Sequence, residues 1–193
     1  STPQNCFWCC VGTGLENHAK YAELVYTTEG DDLFVNLFIA SRLSRPEHDL
    51  VLEQTGTAPY DDEVRLVVRD APATPVAIHI RVPGWHEGTP QVRFNGAPPE
   101  EGPAPLTTRH GTGGQPLTYV RLERQWREGD TVTMCLRPRI SAELLPDGSP
   151  WVSFRYGPSV LAAEGDRNDL VGLFADDSRM GHVARGPLRP LEN

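Results

Sequence analysis

The sequence predicts a mainly β protein, an antiparallel β-sandwich or jelly roll with one short N-terminal helix. Short runs of alternating apolar and polar residues recur along most of the 193 residues, and turn residues separate them. Glycine and proline, with 18 residues each, supply those turns. The alternation of strands and helices that a parallel sheet requires does not occur. These observations favour two packed sheets whose strands are joined by hairpins and loops.

The one predicted helix lies near the N-terminus, over residues 15–27. Its apolar residues recur at helical spacing and define one face: Leu15, Ala19, Ala22, Val25 and Tyr26. Gly12 and Gly14 come just before it, and we expect them to adopt the backbone angles of a tight entry. We expect the turn at residues 30–32 to end the helix.

About nine short strands are predicted after this turn. They cover residues 32–40, 48–55, 63–70, 75–83, 91–96, 117–126, 130–138, 151–157 and 159–164. The Asn95–Gly96 pair is typical of a hairpin turn. Residues 97–116 are rich in proline, glycine and threonine, which predicts a long exposed hairpin loop or insertion.

Charge and hydropathy exclude two classes of partner. The net charge of −8 and the pI of about 5.2 disfavour binding to a phosphate backbone, and no basic stripe occurs, so we expect no nucleic acid partner. No apolar run approaches the roughly 18 residues of a membrane span. A signal-peptide pattern is also absent from the first residues.

Three of the four cysteines lie together in the stretch CFWCC, as Cys6, Cys9 and Cys10. A disulfide between adjacent cysteines would close a strained ring, so we expect none here. The residue types leave three interpretations open. In the first, the cysteines are buried and inert. In the second, they bind zinc with His18 or Glu16 as a further ligand. In the third, one of them is a thiolate nucleophile.

The segment FWCCVGTGLENHAKY resembles the cysteine-pair motif of glycoside hydrolase family 127, the β-L-arabinofuranosidases. Further segments are similar to the family in the same order, and together they cover nearly the whole chain. They are LFVNLFIASRL (33–43), RVPGW (81–85), VRFNG (92–96), YVRLERQWREGDTVTMCL (119–136) and FRYGPSVLAAE (154–164).

This resemblance implies a retaining glycosidase whose nucleophile is Cys9, the first cysteine of the adjacent pair. Its thiolate would attack the anomeric carbon and form a thioglycosyl intermediate. The resemblance also implies a zinc ion bound by Cys9 and Cys10, which keeps Cys9 deprotonated. The implied substrate is an arabinose-containing glycan, and Trp8 is a candidate contact to it.

The family takes its other zinc ligands and its acid/base glutamate from an upstream helical barrel. Residues 1–30 are therefore expected to be the tail end of that catalytic domain, followed by a β-sandwich over 31–175 and a linker over 176–193. The first residue is Ser1 rather than methionine, and we expect a fragment that is inactive in isolation. The alternative is a non-catalytic sandwich that braces a catalytic domain or binds carbohydrate.

The remaining cysteine and tryptophan residues have structural interpretations. Cys135 lies in an alternating strand and is expected to be a small buried hydrophobe. Trp85 and Trp126 are expected to anchor bends and strand ends. The unpaired cysteines favour a reducing, cytoplasmic compartment.

Several polar residues also have structural interpretations. The acidic triple at residues 61–63 predicts a solvated strand start. His79 is expected on a polar or partly buried face rather than as a ligand. His86 and His110 are expected in loops without partners.

Overall fold

The computed structural model describes residues 9–56, 58, 60–98, 105–111, 113–144, 152–162, 173–174 and 183–184. Of residues 9–11, 173–174 and 183–184 it describes the backbone alone. The chain divides into two compact units. The first unit comprises residues 20–140 and 156–159, and the second contains the remaining described residues. No helix among the described residues is long and apolar enough to cross a membrane.

Helix α1 spans Cys9–Val25 and starts earlier than the sequence predicts. Gly12 and Gly14 lie inside it, so the prediction that they form a tight entry turn is wrong. A glycine inside a helix costs only about 1 kcal/mol relative to alanine, which a 17-residue helix tolerates. The predicted end is also wrong, because Gly30, with a φ of 58°, turns the chain between two strands instead.

The first unit is built from ten strands. They are β1 (Tyr26–Glu29), β2 (Asp32–Val35), β3 (Ser41–Arg45), β4 (Leu50–Thr55), β5 (Glu63–Asp70), β6 (Val76–Val82), β7 (Gln91–Phe94), β8 (Leu106–His110), β9 (Pro116–Arg124) and β10 (Thr131–Cys135). One five-stranded sheet has the order β1-β2-β6-β9-β8, and the other has the order β3-β4-β5-β10-β7. A short 3-10 helix at Pro46–His48 connects β3 to β4. The predicted mainly β, sandwich-like fold is confirmed.

One strand pair departs from the antiparallel prediction. β2 and β6 run parallel, with Leu33 opposite Ile78 and Val35 opposite Ile80. Parallel neighbours need a long connection, and β3, β4 and β5 of the other sheet provide it. The described residues of this connection contain no α-helix, which is why the absence of strand–helix alternation did not reveal the parallel pair.

The core of the first unit is made by alternate residues on the inner strand faces. Apolar side chains with almost no exposed surface fill it: Leu33, Val35, Leu50, Leu52, Leu66, Val68, Ile78, Ile80, Val120, Val132 and Met134. Trp126 is 2% exposed, and its indole N–H donates to the Val76 carbonyl at 2.8 Å. Its predicted role as a structural anchor therefore agrees with its position.

Three edge strands of the first unit, β1, β3 and β8, were not predicted from the sequence. β8 lies within residues 97–116, which were predicted to be loop, and pairs antiparallel with β9 so that Thr107 lies opposite Tyr119. None of the five side chains of β8 is buried, so the strand has no apolar face to indicate it. β1 likewise has no buried side chain, and the buried residue of β3 is a charged one, Arg45, so neither strand shows an apolar face.

A three-stranded sheet is formed by β11 (Ile140–Leu144), β12 (Val152–Tyr156) and β13 (Ser159–Val160), and most of its residues belong to the second unit. Two further short strands, β14 (Leu173–Phe174) and β15 (Val183–Ala184), pair with each other. Apart from Val183 and Ala184, the predicted linker at 176–193 lies outside the described residues.

Candidate functional site

The adjacent cysteines are the first two residues of α1. Their side chains, and Cys6 and Trp8 altogether, lie outside the described part of the structure. The first four N–H groups of a helix lack partners within it, and the helix dipole places positive charge there. The structure places the backbone of Cys9 and Cys10 at the first residues of α1 that it describes.

The helical backbone changes the geometric argument for metal binding. Successive residues of a strand point to opposite faces, so adjacent cysteines in a strand could reach one metal ion only at a sharp turn. Neighbouring positions of a helix are instead about 100° apart around the axis, since 3.6 residues make one turn. Cys9 and Cys10 thus occupy adjacent sides of one helical turn, and no sharp bend at Gly12 is required.

Two cysteines supply half of a tetrahedral zinc site. Glu16 and His18 lie further along α1 with exposed side chains. Within the residues that the structure describes, no group of three or more histidine, cysteine, aspartate or glutamate side chains is placed to hold a metal ion. The described residues therefore fit a zinc ion only in part.

The apolar face of α1 is open in the described structure. On this face Leu15 is 66% exposed, whereas Val25 at the end of the helix is buried. Ala19 and Ala22 of the predicted face are exposed as well.

A buried histidine on the outer face of the first sheet is a feature that sequence analysis underestimated. His79 is 2% exposed, and its Nε2 lies 3.0 Å from Asp32 Oδ2. Phe34 stacks on the imidazole with ring centroids 4.3 Å apart. His79 is therefore more deeply buried than the predicted polar or partly buried face. These contacts give His79 a structural role, because both its hydrogen-bond partner and its stacking partner lie on β2.

Tyr119 extends this cluster on β9. Its hydroxyl donates to Asn36 Oδ1 at 2.8 Å, and its ring meets Phe34 edge to face. Burial raises the pKa of Tyr119, while the positive charges of Arg81 and Arg109 oppose that shift. The hydroxyl therefore stays protonated and remains a donor at neutral pH.

His86 also differs from its prediction, because it has a partner. Its Nδ1 accepts a hydrogen bond from the Arg137 backbone N–H at 3.0 Å. Burial lowers the pKa of His86; a backbone hydrogen bond at Thr89 opposes this shift, and the charge of Arg137 adds to it. The neutral imidazole is thus the form that fits this loop.

Two further predictions have different outcomes. Cys135 is partly exposed at the end of β10, so the prediction that it is buried is wrong. Its neighbour Met134 takes the inward position of the alternating strand. Asp61, Asp62 and Glu63 are all exposed and lead into β5, as a solvated strand start requires.

Comparison with known proteins identifies two family models. The model described as β-L-arabinofuranosidase, GH127 middle domain, matches residues 32–137. A domain of unknown function matches residues 141–193. The first match covers more than half of the chain and coincides with most of the β-sandwich. No curated protein sequence matches the chain.

Solved structures show the same likeness. The chain is similar to a GH127 β-L-arabinofuranosidase from Geobacillus stearothermophilus T6, with a TM-score of 0.61 and 24% identity, covering 79% of this chain and 23% of that chain. A glycoside hydrolase is similar with a TM-score of 0.60 and 23% identity, covering 81% and 25%. At these identities the likeness concerns the fold. The chain spans about a quarter of the length of these proteins.

Proposed function

The chain belongs to glycoside hydrolase family 127, and from that membership we propose that it carries the nucleophile of a retaining β-L-arabinofuranosidase-like enzyme. The observation that supports this most is the position of the cysteine pair. Cys9 and Cys10 begin the helix that leads into the family's middle domain, matched at residues 32–137. The proposed substrate is an arabinose-containing glycan.

In the proposed reaction, Cys9 Sγ attacks the anomeric carbon of the sugar. A carbon–sulfur bond forms as the bond to the leaving-group oxygen breaks, and that oxygen takes a proton from a general acid outside the described residues. Water then attacks the same carbon, which releases the sugar with retained configuration and restores the Cys9 thiolate. A cysteine thus replaces the carboxylate nucleophile of most retaining glycosidases.

Two features support a thiolate at Cys9. Cys9 and Cys10 are the first two residues of α1 as described, and the N-terminal end of a helix dipole carries positive charge that stabilises a thiolate. A zinc ion held by Cys9 and Cys10 would add a second, larger stabilisation of the deprotonated sulfur. Trp8 precedes Cys9 directly in sequence and is proposed to contact the substrate.

The remaining zinc ligands, the general acid and the substrate-binding walls are proposed to come from an upstream helical barrel. The exposed Leu15 on the predicted apolar face of α1 supports such a partner. Without these groups Cys9 lacks the positioning and proton transfer that supply most of the rate. The isolated chain is therefore proposed to be inactive, and the parent protein to work in a reducing, cytoplasmic setting.

A non-catalytic role is the second candidate. Residues 20–140 form a unit with its own buried core, and a sandwich of this kind is able to brace a catalytic domain or bind carbohydrate. Binding of arabinose-containing oligosaccharides to the isolated chain, with no effect of Cys9→Ser on turnover by the parent, would favour this role.

The test of the first candidate is hydrolysis of an aryl β-L-arabinofuranoside by the full parent chain. Cys9→Ser should lower kcat by about 10³-fold or more, as loss of a nucleophile does in other covalent enzymes. Cys135→Ser is the matched control, because it removes a partly exposed thiol on β10 and should leave kcat unchanged. Equal activity of the Cys9→Ser variant and the unaltered parent would exclude Cys9 as the nucleophile.

A further inference from the structure

The turn that follows β7 contains the chain's one Asn-Gly pair, Asn95–Gly96. This is the dipeptide in which an asparagine side chain reacts most readily with the following backbone nitrogen, because glycine leaves that nitrogen unhindered. Asn95 has a φ of 46° and Gly96 a φ of 81°, as a type I′ hairpin turn requires. Phe94 and Ala97 close the turn with N···O distances of 2.7 and 2.9 Å.

Asn95 also extends the ladder between β7 and β10 beyond the last strand residue. Its backbone N–H donates to the Thr131 carbonyl at 2.9 Å. The Thr131 N–H donates in return to Asn95 Oδ1 at 2.7 Å, and Thr131 Oγ1 lies 3.3 Å from the same oxygen. The side-chain carbonyl thus accepts the hydrogen bond that a backbone carbonyl accepts in a regular antiparallel pair.

The other half of the Asn95 amide is held by a buried carboxylate. Asn95 Nδ2 donates to Asp130 Oδ1 at 3.0 Å, and Asp130 is only 7% exposed. The second oxygen of Asp130 accepts the Arg127 backbone N–H at 2.9 Å. Asp130 is therefore fixed from the side of its own turn, and both ends of the Asn95 amide have partners on β10 or directly before it.

We propose that Asn95 is a guarded deamidation site: its hydrogen bonds to Asp130 and Thr131 suppress the reaction in the folded sandwich, and the reaction proceeds where this turn opens. In the reaction, the Gly96 nitrogen attacks Asn95 Cγ. The new carbon–nitrogen bond replaces the bond to Nδ2, which leaves as ammonia after taking the Gly96 amide proton. Water then opens the cyclic imide to aspartate or isoaspartate. One water is consumed, one ammonia is released, and nothing is oxidised or reduced.

The product does not fit the site that the asparagine occupied. A carboxylate at position 95 has no proton to donate to Asp130 Oδ1, and it places a second negative charge against a buried acid. Isoaspartate also inserts an extra carbon into the main chain of a two-residue turn. Deamidation is therefore a one-way change that marks molecules in which β7 has separated from β10.

The experiment measures deamidation at Asn95 by mass spectrometry of the tryptic peptide 94–109 after incubation of the folded chain at mildly alkaline pH. A synthetic peptide of the same residues gives the unprotected rate. We expect the folded chain to react more than about tenfold more slowly, which corresponds to about 1.4 kcal/mol of protection. Urea in the transition region should raise the rate towards that of the peptide. A folded chain that reacts as fast as the peptide, or whose rate does not respond to urea, would overturn the proposal.

Two variants separate the guarding contacts from general stability. Asp130→Ala removes the acceptor of Asn95 Nδ2 and should accelerate deamidation severalfold in chains that retain native circular dichroism. Asp70→Ala is the control, because Asp70 Oδ1 accepts the neighbouring Ala71 N–H at 3.0 Å and, among the described residues, has no hydrogen bond to Asn95. If folded Asp130→Ala and Asp70→Ala chains both react at the unaltered rate, the guarding role is excluded. If Asp130→Ala does not fold, the urea series on the unaltered chain decides.

Discussion

Gly157 and Gly30 form a matched pair that tests the packing beside Trp85. The two glycines have φ angles of 57° and 58°, so alanine suffers the same backbone strain at either position. A Cβ on Gly30 would meet nothing within 4 Å. A Cβ on Gly157 would lie 3.0 Å from Pro138 Cβ and 3.3 Å from the Trp85 ring. The difference between the two variants therefore isolates the steric contact.

The expected magnitudes follow from these contacts. Left-handed backbone costs alanine about 1–2 kcal/mol in either variant. Overpacking adds about 1–3 kcal/mol, which only Gly157→Ala incurs, since Pro138 is rigid and Trp85 is partly buried against the core. The gain from restricting the unfolded chain is the same for both substitutions and cancels. Gly157→Ala should thus lower the free energy of unfolding by at least about 1 kcal/mol more than Gly30→Ala.

Urea unfolding, followed by tryptophan fluorescence and by circular dichroism, measures both variants. Equal m-values would show that the variants differ in stability rather than in the surface exposed on unfolding. If Gly157→Ala is as stable as Gly30→Ala, the chain at Gly157 does not pack against Trp85 and Pro138 as described, and the reasoning fails.

Two further predictions concern single side chains. Trp126→Phe removes the indole donor to the buried Val76 carbonyl. This loss alone should lower the free energy of unfolding by about 1–3 kcal/mol, measured by urea unfolding. An unchanged free energy of unfolding would exclude the hydrogen bond as a stabilising contact. His86 has a lowered pKa in the folded state, so the unfolded chain takes up a proton first, and stability should fall as the pH drops below about 6.5. His86→Asn keeps an acceptor for the Arg137 N–H and should reduce this loss of stability at low pH. If the stability of His86→Asn and of the unaltered chain depends on pH in the same way, the account is contradicted.

The parts of the fold that the sequence predicts well are those with a strong local pattern. β5 was predicted at its observed bounds, 63–70, because Val64, Leu66 and Val68 alternate towards the core. Asn95–Gly96 was predicted as a turn because few residues accept a positive φ. Both signals come from the residues of the element itself.

The parts that were missed depend on distant residues. β8 is recognisable only by its pairing with β9, and the parallel pair of β2 with β6 depends on a route through the other sheet. His79 and Asp32 are 47 residues apart, so no local pattern connects them. The start of α1 was missed because Gly12 and Gly14 have poor helix propensity, which the structure overrides.

The candidate site is predictable only through its motif. Cys9 and Cys10 belong to the motif that resembles the family, and the described residues supply no complete set of metal ligands. A site assembled from distant segments leaves no periodic signal in any one of them. The positions of the cysteines on α1 are therefore what the structure adds to the sequence.

The most direct test of the central claim is to stop the full parent protein during turnover of an aryl β-L-arabinofuranoside and to locate the covalent sugar. Acid quenching followed by peptide mass spectrometry identifies the modified residue. The account predicts a pentosyl group on the sulfur of Cys9, and none in the Cys9→Ser variant. A pentosyl group on an aspartate or glutamate side chain would contradict the assignment of Cys9 as the nucleophile.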